Sequence, residues 1–169
     1  MRRARALDEI EALAERLAAV GGTLSSPVPG TLHEATVSDL SWPALRAAAV
    51  AAAGSAYAPY SHLRVGAAAV CDDGRVVTGC NVENASYGLS LCAECTLAGQ
   101  LRLTGGGRLV AVACRSDADE LLMPCGRCRQ LLYELGGPEC LLDTPRGALP
   151  LREVLPDAFG PDDLPDVAR

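Results

Sequence analysis

The chain has 169 residues, of which 49% are hydrophobic and 4% aromatic, and its formal net charge is −6 with a pI of about 4.9. This length fits a single globular domain, with a core built mainly from Ala, Val and Leu. An acidic chain without a basic patch argues against a nucleic-acid polymer as partner and favours a small-molecule substrate. All 15 Lys and Arg positions are arginine, which excludes Schiff-base chemistry and a Walker A lysine.

The eight cysteines bear on the cellular compartment. The N-terminus has no apolar signal-peptide segment, and no stretch reaches the length of a membrane span. We therefore expect a cytoplasmic protein with reduced thiols and no membrane partner. Four cysteines in or beside apolar runs are predicted to be core or strand residues, because a free thiol packs like a small hydrophobe. These are Cys71, Cys80, Cys114 and Cys140.

Residues 1–40 are predicted to be an N-terminal extension. Apolar residues recurring on one face predict a helix over residues 3–20, which ends at Gly21-Gly22. Residues 23–40 show no clear period. We interpret the extension as a loosely attached tail, and the alternative is a helix that packs on an oligomer surface.

Residues 41–169 alternate between helical and strand patterns. Ser41 is a favourable N-cap for the first helix, and Asp73-Gly74 is typical of a hairpin turn. A hairpin followed by two strand–helix alternations predicts an α/β fold, a three-layer α/β/α domain with a mixed five-stranded sheet. The predicted elements in chain order are a helix over 41–54, strands over 63–71 and 75–80, a polar loop over 81–91, a helix over 92–103, a strand over 108–114, a helix over 125–135, and strands over 139–143 and 148–151.

Three cysteines in two short segments, Leu91–Glu94 and Met123–Cys128, have the spacing of a catalytic zinc site. Such a site takes three protein ligands and keeps a fourth position for water, and Cys92, Cys125 and Cys128 are the predicted ligands. The last two are three residues apart, so one helical turn places both sulfurs on the same side. Both segments lead into predicted helices, whose N-termini stabilise thiolates.

Glu94 is the predicted general acid–base. It lies two residues after Cys92 and can reach a water on the metal without ligating the metal. Zinc lowers the pKa of a bound water from about 15.7 to about 7 in favourable sites, and three thiolate ligands make that decrease smaller. A carboxylate that takes the water proton and returns it to the substrate then matters more. The pattern of Cys-Ala-Glu followed by Pro-Cys-x-x-Cys is the three-cysteine form of the zinc deaminase signature.

A closed structural site is the main alternative. Cys92-x-x-Cys95 together with Cys125-x-x-Cys128 would suit four thiolates around zinc in a non-catalytic interaction domain. That arrangement leaves Glu94 without a purpose. A redox C-x-x-C pair is the less favoured possibility.

Beyond the metal motif, residues from Trp42 to the C-terminus resemble the small homotetrameric, zinc-dependent cytidine deaminases of actinobacterial-like type. The resemblance implies hydrolytic deamination of cytidine and deoxycytidine to uridine and deoxyuridine, a step of pyrimidine salvage, by a homotetramer. The landmarks that carry it are Ala58-Pro59-Tyr60-Ser61, Val65-Gly66-Ala67-Ala68, Gly79-Cys80-Asn81-Val82-Glu83-Asn84, Cys92-Ala93-Glu94, Pro124-Cys125-Gly126-Arg127-Cys128-Arg129-Gln130 and Leu155-Pro156-Asp157-Ala158-Phe159.

The resemblance also implies roles for four substrate-binding residues. Asn81 and Glu83 match the pair that holds the ribose hydroxyls, although both residue types also satisfy loops. The backbone N–H of Ala93 is expected to face the pyrimidine carbonyl. Phe159 matches a phenylalanine that enters a neighbouring subunit's pocket and covers the base, and the alternative is an anchor to its own core.

Two positions depart from the family pattern. Leu63 stands where the family commonly has Phe, so a base stacked there loses about 0.5–1.5 kcal/mol of aromatic interaction. Cys95 stands where many members have an arginine that offsets the charge of the zinc thiolates. Arg127 or Arg129 would supply that charge, unless both are solvated helix arginines.

A related enzyme class is the second alternative for the function. Blasticidin S deaminases act on another cytosine-bearing molecule and share the fold and the zinc motif. Asn81, Glu83 and the Phe159 segment favour a nucleoside substrate.

Overall fold

The computed structural model describes residues 41–164. The helix predicted over residues 3–20, and the rest of the N-terminal extension, lie outside these residues. The helices and strands are α1 (Trp42–Ala53), β1 (Val65–Cys71), β2 (Val76–Cys80), α2 (Ala93–Leu103), β3 (Leu109–Ser116), α3 (Gly126–Gly136), β4 (Leu141–Thr144), β5 (Gly147–Pro150) and α4 (Leu151–Val154).

The elements predicted for this part of the chain are all present, and their observed ends differ from the predicted ones by at most two residues. The first strand begins at Val65 rather than at residue 63, because the carbonyl oxygen of Leu63 accepts a hydrogen bond from the side chain of Asn81 instead of pairing with a neighbouring strand. The last strand ends at Pro150, and Leu151 already begins α4. Ser41 caps α1 as predicted, since its Oγ accepts a hydrogen bond from the N–H of Ala44 at 3.4 Å. Within residues 41–164, no helix combines the length and apolar character needed to cross a membrane.

The five strands form one mixed sheet in the order β2-β1-β3-β4-β5. The β3–β4 pair is parallel and the other three pairs are antiparallel. Side chains of β1 alternate between two buried clusters, so both faces of the sheet are covered. Helix α1 packs on one face through Leu45 and Ala49. Helices α2 and α3 pack on the other face, which confirms the predicted three-layer α/β/α arrangement.

Helix α2 lies directly on β2 because Gly79 has no side chain. A Cβ at this position would lie 2.4 Å from the carbonyl oxygen of Ala93 and 2.3 Å from the nitrogen of Leu97. The hydroxyl of Thr96 accepts the N–H of Cys80 at 2.9 Å and lies 2.7 Å from the carbonyl oxygen of the same residue. The start of α2 is therefore held at a defined place on the sheet.

Asp143 in β4 joins three elements through a buried ion network. Its side chain is 1% exposed, and its two oxygens each accept a hydrogen bond from Arg46 of α1 at 2.8 Å. Arg115 of β3 donates to the same carboxylate at 2.6 Å. A fork-to-fork arginine pair is strong and directional, so the network fixes α1 against the parallel part of the sheet.

Replacing Asp143 with asparagine is expected to lower the free energy of unfolding by about 3–5 kcal/mol, because it leaves Arg115, whose side chain is only 10% exposed, without its buried counter-charge. Urea unfolding of the zinc-loaded protein measures the effect. Glu139→Gln is the matched control, since Glu139 pairs with Arg152 in an ion pair that leaves the glutamate 75% exposed. That control is expected to cost at most about 1 kcal/mol. Equal effects of the two substitutions would contradict the assignment.

Candidate metal centre

The three predicted ligand cysteines converge at two helix N-termini. Cys92 and Cys125 are the N-cap residues of α2 and α3, and Cys128 is the third residue of α3. Their Sγ atoms lie within 4.8 Å of one another. A tetrahedral zinc ion with Zn–S bonds of about 2.3 Å separates its sulfur ligands by roughly 3.8 Å. The spacing and the soft sulfur donors both suit zinc.

The protonation of the three thiols differs with their surroundings. Burial raises the pKa of Cys92 and, more strongly, the pKa of Cys128. The backbone N–H of Cys128 donates to Cys125 and lowers the pKa of that thiol. Because zinc ligates thiolates, metal binding must displace protons from Cys92 and Cys128, and the affinity for zinc should rise with pH.

Glu94 lies beside these thiols without belonging to the group of ligands. It is the second residue of α2, and only 4% of its side chain is exposed. Its Oε1 atom lies 3.6 Å from the Sγ atom of Cys114 in β3. The pKa of Cys128 is raised most by burial and next by the negative charge of the Glu94 carboxylate. A buried carboxylate next to a metal site is placed to exchange protons with a molecule held there.

Cys95 is absent from the group of three thiols, so a four-thiolate structural site is not favoured. Its Sγ atom instead accepts a hydrogen bond from the guanidinium of Arg127 at 3.1 Å. The charge of Cys95, and after it that of Cys92, raises the pKa of Arg127. Arg129 donates to the backbone oxygens of Pro124 at 2.9 Å and Val154 at 3.2 Å. Of the two arginines, Arg127 is therefore the one that lies near the thiols.

The segment 81–83 runs beside the metal-binding segment. Val82 exchanges two backbone hydrogen bonds with Leu91, at 2.9 and 2.8 Å, immediately before Cys92. On its other side, Tyr57 donates to the backbone oxygen of Asn81 and accepts from the N–H of Glu83. This pairing brings Asn81 and Glu83 to the same end of the sheet as the three cysteines.

In the structure, the side chains of Asn81 and Glu83 organise the loop that precedes β1. Asn81 accepts the N–H of Val65 at 2.8 Å and donates to the carbonyl oxygen of Leu63 at 2.9 Å. Glu83 accepts the hydroxyl of Ser61 and the backbone N–H of Tyr60, and both hydrogen bonds lower its pKa. Glu83 is therefore ionised at neutral pH, and its carboxylate is oriented before a ligand arrives.

Two apolar residues assigned to the substrate are exposed. Leu63 is 48% exposed, and its carbonyl oxygen accepts a hydrogen bond from the side chain of Asn81. Phe159 is 60% exposed, and its backbone oxygen accepts a hydrogen bond from Gln130 of α3 at 2.7 Å. The next residue, Gly160, passes close to the ring of Tyr133. The backbone of Phe159 is thus anchored to its own subunit while its ring is left uncovered.

Sequence reasoning missed two side chains of this region. Ser61 was noted only as part of a loop landmark, yet its hydroxyl orients Glu83. Cys114 was predicted as a core or strand residue, which is correct because it is 2% exposed within β3, but its contact with Glu94 was not foreseen. Twenty residues separate Cys114 from Glu94, and no local pattern reports a contact across that distance.

Comparison with known proteins agrees with this geometry. Residues 43–143 match the family model described as the cytidine and deoxycytidylate deaminase zinc-binding region. The fold and the three-cysteine group are therefore those of a zinc-binding deaminase domain.

Individual relatives show which deaminases of this class the chain resembles. The cytidine deaminase of Mycobacterium tuberculosis is 61% identical over 131 residues, which cover 78% of this chain and 98% of the relative. Its crystal structure aligns with a TM-score of 0.70, covering 72% of this chain and 99% of that one. The crystal structure of cytidine deaminase from Burkholderia pseudomallei is 42% identical, with a TM-score of 0.64 and coverage of 71% and 100%. The chain belongs to the cytidine deaminase family.

Proposed function

We propose that this protein is a zinc-dependent hydrolase that converts cytidine and deoxycytidine to uridine and deoxyuridine with release of ammonia. The observation that carries the proposal is the group of three thiols beside the buried carboxylate of Glu94, in a chain 61% identical to a cytidine deaminase. Residues 41–169 form the catalytic domain. The reaction belongs to pyrimidine salvage, and the expected location is the cytoplasm.

The metal ligands in this proposal are Cys92, Cys125 and Cys128. Zinc held by them would supply Lewis acidity and would lower the pKa of a water molecule. Glu94 accepts a proton from the attacking water, whose oxygen forms a bond to ring carbon 4 of the base. The carboxyl then donates the proton to ring nitrogen 3. A second proton transfer, to the amino group, allows that group to leave as ammonia. One water is consumed for each ammonia released.

Substrate recognition is assigned to residues around this centre. The N–H of Ala93 belongs to the first turn of α2, where backbone donors have no intrahelical partner, and it is proposed to bind the pyrimidine carbonyl. Asn81 and Glu83 are proposed to hold the ribose hydroxyls, and the ionised state of Glu83 supports its role as an acceptor. Leu63 is proposed to contact the base.

The decisive experiment is ultraviolet-monitored deamination of cytidine by the purified protein. Turnover should disappear after zinc is removed with a chelator and return when zinc is added. Deoxycytidine and blasticidin S are tested in parallel. An inactive protein that is folded and zinc-loaded would contradict the proposal, and activity on blasticidin S alone would move the assignment to the related deaminase class.

Phe159 is proposed to cover the base in a neighbouring subunit of a homotetramer. The exposure of its ring, together with the anchored backbone, supports this arrangement. Glu94→Ala and Phe159→Ala subunits, each strongly impaired alone, are therefore expected to regain activity when co-expressed. Mixed oligomers then contain sites with an intact Glu94 and an intact Phe159 from different chains.

The control for this complementation is co-expression of Glu94→Ala with Cys128→Ser. Each of these defects is proposed to disable the site of its own chain, yet an exchange of Phe159 between chains cannot repair either of them. Recovery confined to the first pair supports a shared site. If the first pair also fails to recover although mixed oligomers are isolated through two affinity tags, Phe159 acts within its own chain.

A further inference from the structure

Cys114 is a buried thiol that the proposed reaction does not use, and its position calls for an explanation. It lies in the C-terminal half of the central strand β3, and the residue is only 2% exposed. Its Sγ atom is 3.6 Å from Oε1 of Glu94, a distance that suits a hydrogen bond with a sulfur donor. The Glu94 carboxylate also forms a side-chain hydrogen bond with the thiol of Cys128.

The direction of this hydrogen bond follows from the surroundings of the two groups. Burial raises the pKa of Cys114 well above that of a free thiol, and the neighbouring Glu94 carboxylate raises it further. The thiol therefore keeps its proton at neutral pH and acts as the donor. A carboxylate accepts such a hydrogen bond more strongly than a neutral oxygen does.

Cys128 also lies beside Glu94, but it cannot donate a hydrogen bond to the carboxylate when it ligates zinc. A cysteine that ligates zinc is a thiolate and has no proton to donate. Cys114 is held in the sheet, outside the group of ligands, and its proton remains available whether or not metal is bound. This leaves one described protein donor for the Glu94 carboxylate when zinc is present.

We propose that Cys114 is a positioning residue, whose S–H donates to Oε1 of Glu94 and sets the rotation of the carboxylate relative to the substrate. A buried side chain that transfers protons must be held to a fraction of an ångström, and a partner in the adjacent layer supplies that constraint. The inference rests on the proposed role of Glu94 in the reaction. The hydrogen bond itself belongs to the fold and can be tested separately.

The first test compares three substitutions in the zinc-loaded enzyme. Cys114→Ala removes the donor and is expected to lower kcat about tenfold, which is the scale of one hydrogen bond to a charged group. KM is expected to stay within about twofold, because substrate binding does not depend on this contact. Cys114→Ser keeps a donor and is expected to restore most of kcat.

Cys71→Ala is the matched control. Cys71 is also a fully buried strand cysteine on the same face of the sheet, and its charged neighbours are Arg75, Asp73 and Asp72 rather than Glu94. It should lose stability like Cys114→Ala and keep the wild-type kcat. Unchanged kcat in Cys114→Ala, equal losses in both alanine variants, or no recovery in Cys114→Ser would each overturn the proposal.

The second test needs no measurement of activity. The S–H stretching band of Cys114 is assigned by infrared difference spectroscopy against Cys71→Ala and Cys114→Ala. In the Glu94→Ala protein this band should move to higher frequency, because loss of an acceptor strengthens the S–H bond. A band that does not move would refute the hydrogen bond. If the band shifts in the Glu94→Ala protein but the wild-type protein does not turn over cytidine, the result counts against the proposed function and still supports the hydrogen bond.

Discussion

The Glu94→Ala enzyme is expected to lose nearly all turnover of cytidine while it retains zinc and the fold. The three thiols proposed as zinc ligands are separate side chains, so removal of the carboxylate leaves that group complete. Proton transfer by a positioned side chain contributes typically about 10²–10⁴-fold to a rate, and that factor is the expected loss in kcat. Steady-state kinetics, zinc content by atomic absorption and circular dichroism together measure the effect.

Two further variants sharpen this prediction. Glu94→Gln keeps the size of the side chain but cannot carry the proton, so it should be nearly as inactive as the alanine variant. Its thermal midpoint should equal or exceed that of the wild type, because a buried carboxylate costs desolvation free energy. Glu134→Gln, at an exposed position of α3, is the control and should keep full activity. Substantial turnover in Glu94→Ala would exclude the mechanism.

Cys128→Ser is expected to lose stoichiometric zinc and, with it, all activity, whereas Cys95→Ser is expected to keep both. Cys128 is buried between the other two thiols, and replacing a ligand should reduce the affinity for zinc by more than the roughly 100-fold upper limit seen for outer-shell residues. Cys95 only accepts a hydrogen bond from Arg127. Zinc titration against a competing chelator measures both affinities.

X-ray absorption on the wild-type and Cys95→Ser proteins counts the sulfur atoms around zinc independently of activity. Three sulfurs and one lighter atom are expected in both proteins, since a catalytic site keeps one position for water. Four sulfurs in the wild type and three in Cys95→Ser would restore the closed structural site. Cys95 is half-buried, so circular dichroism is used to check that the Cys95→Ser protein keeps its fold.

Local sequence patterns predicted most of the secondary structure and the three cysteines that the structure brings together. The Asp73-Gly74 turn and the alternation of apolar runs depend on residues close in the chain, so they could be predicted element by element. The spacing of Cys125 and Cys128 is likewise local, because both sulfurs belong to the start of one helix. Where a boundary was wrong, as at residue 63, a hydrogen bond from the side chain of Asn81 replaces the pairing of Leu63 with a strand, and no local pattern predicts that contact.

The amino-acid sequence by itself determined the fold class, the zinc-binding motif and the family resemblance, since each depends on residue type and spacing along the chain. Only the tertiary structure decided which residues meet across long separations. The network of Asp143 joins Arg46 from 97 residues away, and Cys114 reaches Glu94 from another strand. The tertiary structure also excluded Cys95 from the thiol group, although the Cys92-x-x-Cys95 spacing would suit a fourth zinc ligand. Such contacts depend on how the sheet and its helices pack, and that packing is a property of the whole domain.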